Sequence, residues 1–204
     1  MTPARARRPQ VPMARRRIEL VEAAVQVMRR EGAWTVTTRA VAAEAGVPHG
    51  SVHYAFSSKH ELLKAVFAAD VEGATRVFST VDLEGGATQV LARACRAYAD
   101  RLTADPETEL VLQELSLMGA RDPELRAIVQ ESTATYRRLV TDLLTGVTDR
   151  AGGRWDAPVE LVAEQVLGVL FGSAASWLVG RDDDLLRATL SDLASLTASR
   201  WSPG

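Results

Sequence analysis

The chain has 204 residues, 47% hydrophobic and 25% charged, proportions of an ordinary globular protein rather than of a disordered or collagen-like one. Its one cysteine, Cys95, excludes an intramolecular disulfide, a Cys-rich zinc site and a CxxC redox motif, which fits a reducing compartment. The net charge of −2 conceals an asymmetry: residues 1–64 carry 11 basic and 5 acidic side chains, residues 65–204 carry 13 and 21. A basic N-terminal third on an acidic remainder predicts one segment that meets a polyanion and another that does not.

Residues 1–12 hold three prolines and three arginines without apolar periodicity, and a disordered basic arm is expected there. From about Ala14 to Glu31, Ile18, Val21, Val25 and Met28 recur at helical spacing, with Leu20, Ala24 and Val27 widening the stripe, until Gly32 ends the helix. A short helix over about Thr37–Ala45 is capped by Thr37 and closed at Gly46, and another covers about Pro48–Ala55, with Pro48 in its first turn. Ser58 and Glu61 fit a capping box opening a long helix over about Lys59–Thr80. Further helices are expected over about Thr88–Ala104, Glu107–Gly119, Asp122–Thr148, Asp156–Val179 and Asp184–Arg200. No period-2 alternation and no repeat occurs, so the expected fold is all-α with about nine helices.

No apolar h-region lies near the N-terminus, so no signal peptide is expected. The longest uncharged stretch, Gln165–Gly180, is 16 residues, below the roughly 20 that cross a bilayer. It reads as a buried helix, and the chain as cytoplasmic.

Catalytic signatures are absent: no GxGxxG, GxxxxGK[ST], GxSxG or HExxH occurs. His60-Glu61-Leu62-Leu63-Lys64 places lysine where a second zinc ligand would stand, and His49 with His53 lacks a third ligand. No enzyme activity, cofactor or metal is expected. The two short helices joined by Gly46-Val47 behind a longer one instead have helix-turn-helix proportions, which place the second short helix in a major groove. Arg15, Arg16 and Arg17 start the first helix, where cations oppose the helix dipole, and this placement points to an external anion such as DNA phosphate.

Residues Gly32–Leu63, above all TTRAVAAEAGVPHGSVHYAFSSKHELL, closely resemble the DNA-binding domain of TetR-family transcriptional regulators. The matching positions are Thr37, Val41-Ala42, Ala45-Gly46-Val47, Gly50, Phe56, Ser58-Lys59 and Glu61-Leu62, spaced without a gap. Pro48, His53 and Ala55 depart from the usual serine, aromatic, and aromatic or histidine. The resemblance, with the geometry, implies phosphate contacts from Thr37, Thr38, Arg39, Tyr54 and Lys59, added to Arg15, Arg16 and Arg17. It implies base-edge or adjacent phosphate contacts from His49, Gly50, Ser51 and His53. Tyr54 also fits a packing role.

After the arm expected at 1–12, the resemblance divides the chain into a DNA-binding domain at 13–58 and an effector-binding and dimerisation domain at 59–204. Pocket candidates are Tyr98, Gln113, Met118, Tyr136, Phe171 and Trp177, polar or aromatic groups on apolar helices, each of which also fits a core role. Gly168, Gly172 and Ser176 form a small-residue stripe that suits either tight internal packing or, with Leu186, Leu190, Leu193 and Leu196, a four-helix interface across a two-fold axis. The expected protein is a homodimeric repressor of an inverted-repeat DNA operator, released by a small-molecule effector, with no membrane partner. Two other readings stay open: a helical enzyme or small-molecule carrier with an incidental helix-turn-helix, and a regulator without a small-molecule effector that answers to a protein partner.

Overall fold

The computed structural model describes residues 12–204, so the expected arm, Pro12 apart, lies outside the described residues. They form nine α-helices, a short 3₁₀ turn and two short strands. The chain divides into two compact units, the first ending at Val66 and the second running from Phe67 to Gly204.

The first unit contains α1 (Met13–Glu31), α2 (Thr38–Glu44), α3 (His49–Ala55) and the opening of α4 (Lys59–Ser79). On α1 the buried row is Leu20, Ala23, Ala24, Val27 and Met28. The row expected through Ile18 is displaced: Ile18 is 60% exposed, and Val21 and Val25 are only half-buried. Apolar residues surround much of this helix, so periodicity alone does not centre the stripe. The Thr37 hydroxyl accepts the Ala40 N–H at 3.1 Å, capping α2. Gly46 makes the turn at φ +63°, and Pro48 stands at the N-cap of α3, one residue outside its expected place in the first turn.

Ser58 Oγ accepts the Glu61 N–H at 3.1 Å, as a capping box requires. The return half differs from expectation. Glu61 Oε2 accepts from the Ser57 N–H at 2.6 Å and the Ser57 hydroxyl at 2.8 Å, reaching one residue further back because two donors converge there.

The second unit holds the rest of α4, α5 (Ala87–Ala104), α6 (Pro106–Gly119), α7 (Pro123–Ala151), α8 (Val159–Gly180) and α9 (Asp183–Ala198). Asp105, Asp122 and Asp182 accept first-turn N–H groups of α6, α7 and α9, while Pro106 and Pro123 occupy first-turn positions where no N–H is missed. Its core joins α5 to α8 and α9 through Tyr98, Leu102, Leu170, Trp177, Leu186 and Leu190. Among the described residues α8 is the helix long and apolar enough to cross a membrane by length and composition, and its inner face lies in this core.

Two features escape the sequence reading. Asp156 does not cap α8; its carboxylate pairs with Arg200 at 2.9 Å, and Pro158 takes the N-cap. Beside that pair β1 (Arg154–Trp155) meets β2 (Trp201–Ser202) antiparallel, in strands too short to show alternation. Gly153, at φ +97°, permits the pairing: a Cβ there would lie 2.2 Å from the Ser202 carbonyl oxygen.

Candidate nucleic-acid interface and effector cavity

On the first unit the short helix α3 buries Val52 and Ala55 and exposes His49, Gly50, His53 and Tyr54. Tyr54 is 81% exposed, which removes the packing role that its sequence position also allowed. His49 Nε2 and the Thr38 hydroxyl are 3.0 Å apart, tying the starts of α2 and α3, and the His49 and His53 rings meet edge-on at 4.5 Å. A Cβ at Gly50 would meet nothing within 4 Å, so internal packing does not demand glycine there. Thr37 and Arg39 are exposed, while Thr38, Ser51 and Lys59 are half-buried. Arg39 makes no ion pair with any described residue.

The three arginines at the start of α1 have internal counter-charges, contrary to the dipole argument made from sequence. Arg15 and Arg16 pair with Glu19 at 3.4 and 2.8 Å. Arg17 turns inward: it donates to the Ala55 carbonyl and to Glu61 at 3.0 Å, with its guanidinium 4.2 Å from the centre of the Phe56 ring. It braces the end of α3 against the start of α4. Glu61 is held at about 2 chiefly by the Ser57 N–H, then by the Ser57 hydroxyl and Arg17.

The second unit holds a partly open cavity of about 250 Å³ between α4, α5, α6, α7 and α8. Most of its wall is apolar, supplied by residues such as Phe67, Phe78, Leu112, Leu143 and Phe171. A polar cluster interrupts it. Asp70 accepts from Arg101 through one oxygen and from the Tyr136 hydroxyl through the other, and Glu109 accepts from Gln113 at 3.0 Å. Burial pushes the Glu109 carboxyl up, and burial beside Asp70 pushes up the Tyr136 phenol. Ser132 also lines the cavity, is 7% exposed, and its hydroxyl has no hydrogen-bond partner.

The family model for bacterial regulatory proteins of the tetR family matches residues 20–66, and that for the tetracyclin repressor-like C-terminal domain matches residues 84–196, more than half of the chain. The chain belongs to the TetR family. It is therefore a DNA-binding transcriptional regulator. A relative from Paenarthrobacter nicotinovorans, the HTH-type nicotine-responsive transcriptional repressor HdnoR, is 25% identical over 136 residues, 66% of this chain and 70% of its own. A TetR-family regulator from Rhodococcus sp. superposes with TM-score 0.80 at 19% identity, covering 90% of this chain and 98% of that one. The regulator FadR from Bacillus subtilis, solved with stearoyl-CoA, superposes with TM-score 0.74 at 21% identity, covering 89% and 97%. These two likenesses show the fold.

Within this TetR-family chain the cavity collects four of the six expected pocket residues: Tyr98, Gln113, Tyr136 and Phe171. Met118 and Trp177 are not among its lining residues. Met118 is half-buried elsewhere on α6, and the Trp177 indole N–H donates to Asp183 at 2.7 Å, its ring lying under Arg181. The charged residues Asp70, Arg101 and Glu109 and the unpartnered Ser132 were missed. A signal existed for Asp70, which is in helical phase with the apolar Phe67, Ala74 and Phe78, and for Arg101, in phase with Ala94 and Tyr98.

The expected interface residues separate into two sets. Leu186, Leu190 and Leu193 are buried in the protomer's own core, a correction to their placement at a dimer surface. Gly168, Gly172 and Ser176 are exposed, and a Cβ at either glycine would meet nothing within 4 Å, so internal close packing does not explain the stripe. Leu161 and Val169 of α8 and Leu185 and Leu196 of α9 are exposed as well.

Proposed function

We propose that this chain is a repressor that binds an inverted-repeat operator as a homodimer and leaves it when a small molecule enters the cavity of the second unit. The observation that carries the effector part is the cavity itself: a largely apolar space with a few convergent polar groups, one of them an unsatisfied buried hydroxyl. The nicotine-responsive repressor among its relatives supports both the sign of regulation and the response to a small compound. A regulator answering solely to a protein partner would have no use for such a space.

In this reading α3 enters the major groove, with His49, Gly50, Ser51 and His53 toward base edges and Thr37, Thr38, Arg39, Tyr54 and Lys59 toward phosphate. Arg15 and Arg16 add phosphate contacts at the start of α1. Arg17 is assigned a bracing role instead, since its Nη1 donates to the Ala55 carbonyl and to Glu61. The exposed face of α8 and α9, with Gly168, Gly172 and Ser176, is the dimer surface, and the protein works in the cytoplasm without catalytic activity or cofactor. Helix α4 couples the two functions, because it starts beside the DNA-reading residues in sequence and ends as cavity wall through Phe67, Asp70, Ala74 and Phe78.

The test is selection of genomic fragments by the purified protein, followed by footprinting. A two-fold symmetric site is expected, with half-site centres about 34–36 Å apart or more. Compounds metabolised by products of the adjacent genes should then release the DNA. Retention of asymmetric fragments alone, or operator binding indifferent to every compound that occupies the cavity, rejects the reading.

A further inference from the structure

We infer that the cavity takes a small amphiphile bearing a protonated amine, with the ammonium paired to Glu109 and the apolar body against the hydrophobic wall. The inference rests on the reading of this cavity as the effector site and adds the chemical class of the effector.

The formal charges on the cavity wall do not balance. Three formally charged side chains line the cavity, the acids Asp70 and Glu109 and the base Arg101. Arg101 is committed to Asp70, and the Tyr136 hydroxyl occupies the other Asp70 oxygen. That pair is satisfied and neutral. Glu109 has only the neutral Gln113 amide as hydrogen-bond donor, at 3.0 Å. Arg101 acts on Glu109 only at a distance, its direct contact being with Asp70, and a carboxylate half-buried in an apolar wall favours a counter-ion of its own. Burial already pushes the Glu109 carboxyl upward.

A ligand cation supplies the missing charge. An anionic ligand would add a third negative charge against one committed guanidinium, and a neutral ligand would leave Glu109 as it is. Ser132 offers a second polar contact, a buried hydroxyl with both donor and acceptor capacity unused. Size limits the class too: about 250 Å³ lies just under the range of about 300–1,000 Å³ of drug-sized pockets, so the body is small.

Binding should also carry a proton signature. The titratable groups on the cavity wall are Asp70 from α4, Cys95, Tyr98 and Arg101 from α5, Glu109 from α6 and Tyr136 from α7; α8 contributes none. Burial lifts the Cys95 thiol to about 11 and both phenols still higher, so neither kind ionises near neutrality. Glu109 is the group whose raised carboxyl an incoming ammonium pulls back toward its ionised form. Amine binding should therefore release protons and tighten as pH rises through the Glu109 range.

The experiment is titration calorimetry of the full-length protein with three matched probes, 4-phenylbutylamine, 4-phenylbutanol and 4-phenylbutyrate, in buffers of different ionisation enthalpy. The amine should bind about tenfold or more tighter than the alcohol, the advantage of one charge-assisted contact, and the acid weakest. Glu109→Gln, close in shape and without the uncompensated charge, should abolish both the preference and the proton release while helical content stays the same. Tighter binding of the acid, equal binding of amine and alcohol, a preference that survives Glu109→Gln, or no binding by any probe overturns the inference. Operator release is scored separately. Amine binding without release leaves this inference standing and rejects the effector reading; equal release by amine and alcohol does the reverse.

Discussion

Glu61 shows how one side chain can hold a junction in the first unit together. Its carboxylate accepts two donors from Ser57 and pairs with Arg17, and its ordinary value of 4.5 falls to about 2. A carboxylate depressed by folding stabilises at pH values above its unfolded range and loses that contribution as pH drops through its folded one. The wild-type melting temperature should therefore fall between about pH 4.5 and 2 more steeply than that of Glu61→Gln, which has no proton to take up at that position. Equal acid slopes in the two proteins would remove Glu61 from this role. Arg39 and Lys59 are predicted to act on DNA alone. Alanine at either should weaken binding to all sequences alike and lower the slope of log affinity against log salt by about one unit. Arg17→Ala, in contrast, should lower the melting temperature, since it removes the brace between α3 and α4. A mutant at Arg39 that lost sequence preference with its salt slope intact would assign that residue to bases instead.

At the scale of elements, α8 and α9 each divide into an inner and an outer face. On α9 the inner row is Leu186, Leu190 and Leu193, and the outer face exposes Leu185 and Leu196. Leucines occur in both rows one position apart, which is why helical spacing alone assigned the inner set to a dimer surface. The two faces give opposite predictions. Leu190→Ala should cost about 2–5 kcal/mol of protomer stability by denaturant unfolding, the usual result of a cavity in a packed core. Gly172→Leu meets open space within the protomer and replaces a poor helix former, so stability should hold or rise by about 1 kcal/mol. In sedimentation the same variant should run as a monomer with lost operator affinity, because leucine would overpack the proposed dimer contact, where helices approach closely at glycine. Persistence of the dimer would move the interface off this face.

Over the whole molecule, function depends on two units of opposite charge sharing one chain. The basic residues concentrate before Lys64 and the acidic ones after it, so the field attracts DNA to the first unit and repels it from the second. The proposed regulation requires that effector and operator affinities be coupled through states of the proposed dimer. Coupling is reciprocal: an effector that weakens operator binding by a factor, about 5–150 for a coupling of about 1–3 kcal/mol, must itself bind the operator complex more weakly by that factor. Calorimetry of the releasing compound against free and operator-saturated dimer checks this directly. Equal affinities would exclude release by this route, since a ligand indifferent to two states cannot shift them.

By itself the sequence determined what is local. Caps such as Thr37 and Asp122, the first-turn proline Pro123 and apolar periodicity set nine helices close to their observed bounds, because each signal acts within a few residues of where it is written. The ungapped stretch from Gly32 to Leu63 carried the family on the same basis, since a helix-turn-helix is built from short-range spacing. Only the tertiary structure decided the rest. Asp70 finds Arg101 at a separation of 31 residues and Tyr136 at 66, and the β1–β2 pairing joins segments whose two-residue length hides any alternation. Helical period fixes which residues share a face but not which neighbour covers it. That choice made an inner wall of Asp70 and Glu109, a brace of Arg17 and a core row of Leu190, through contacts between residues far apart along the chain.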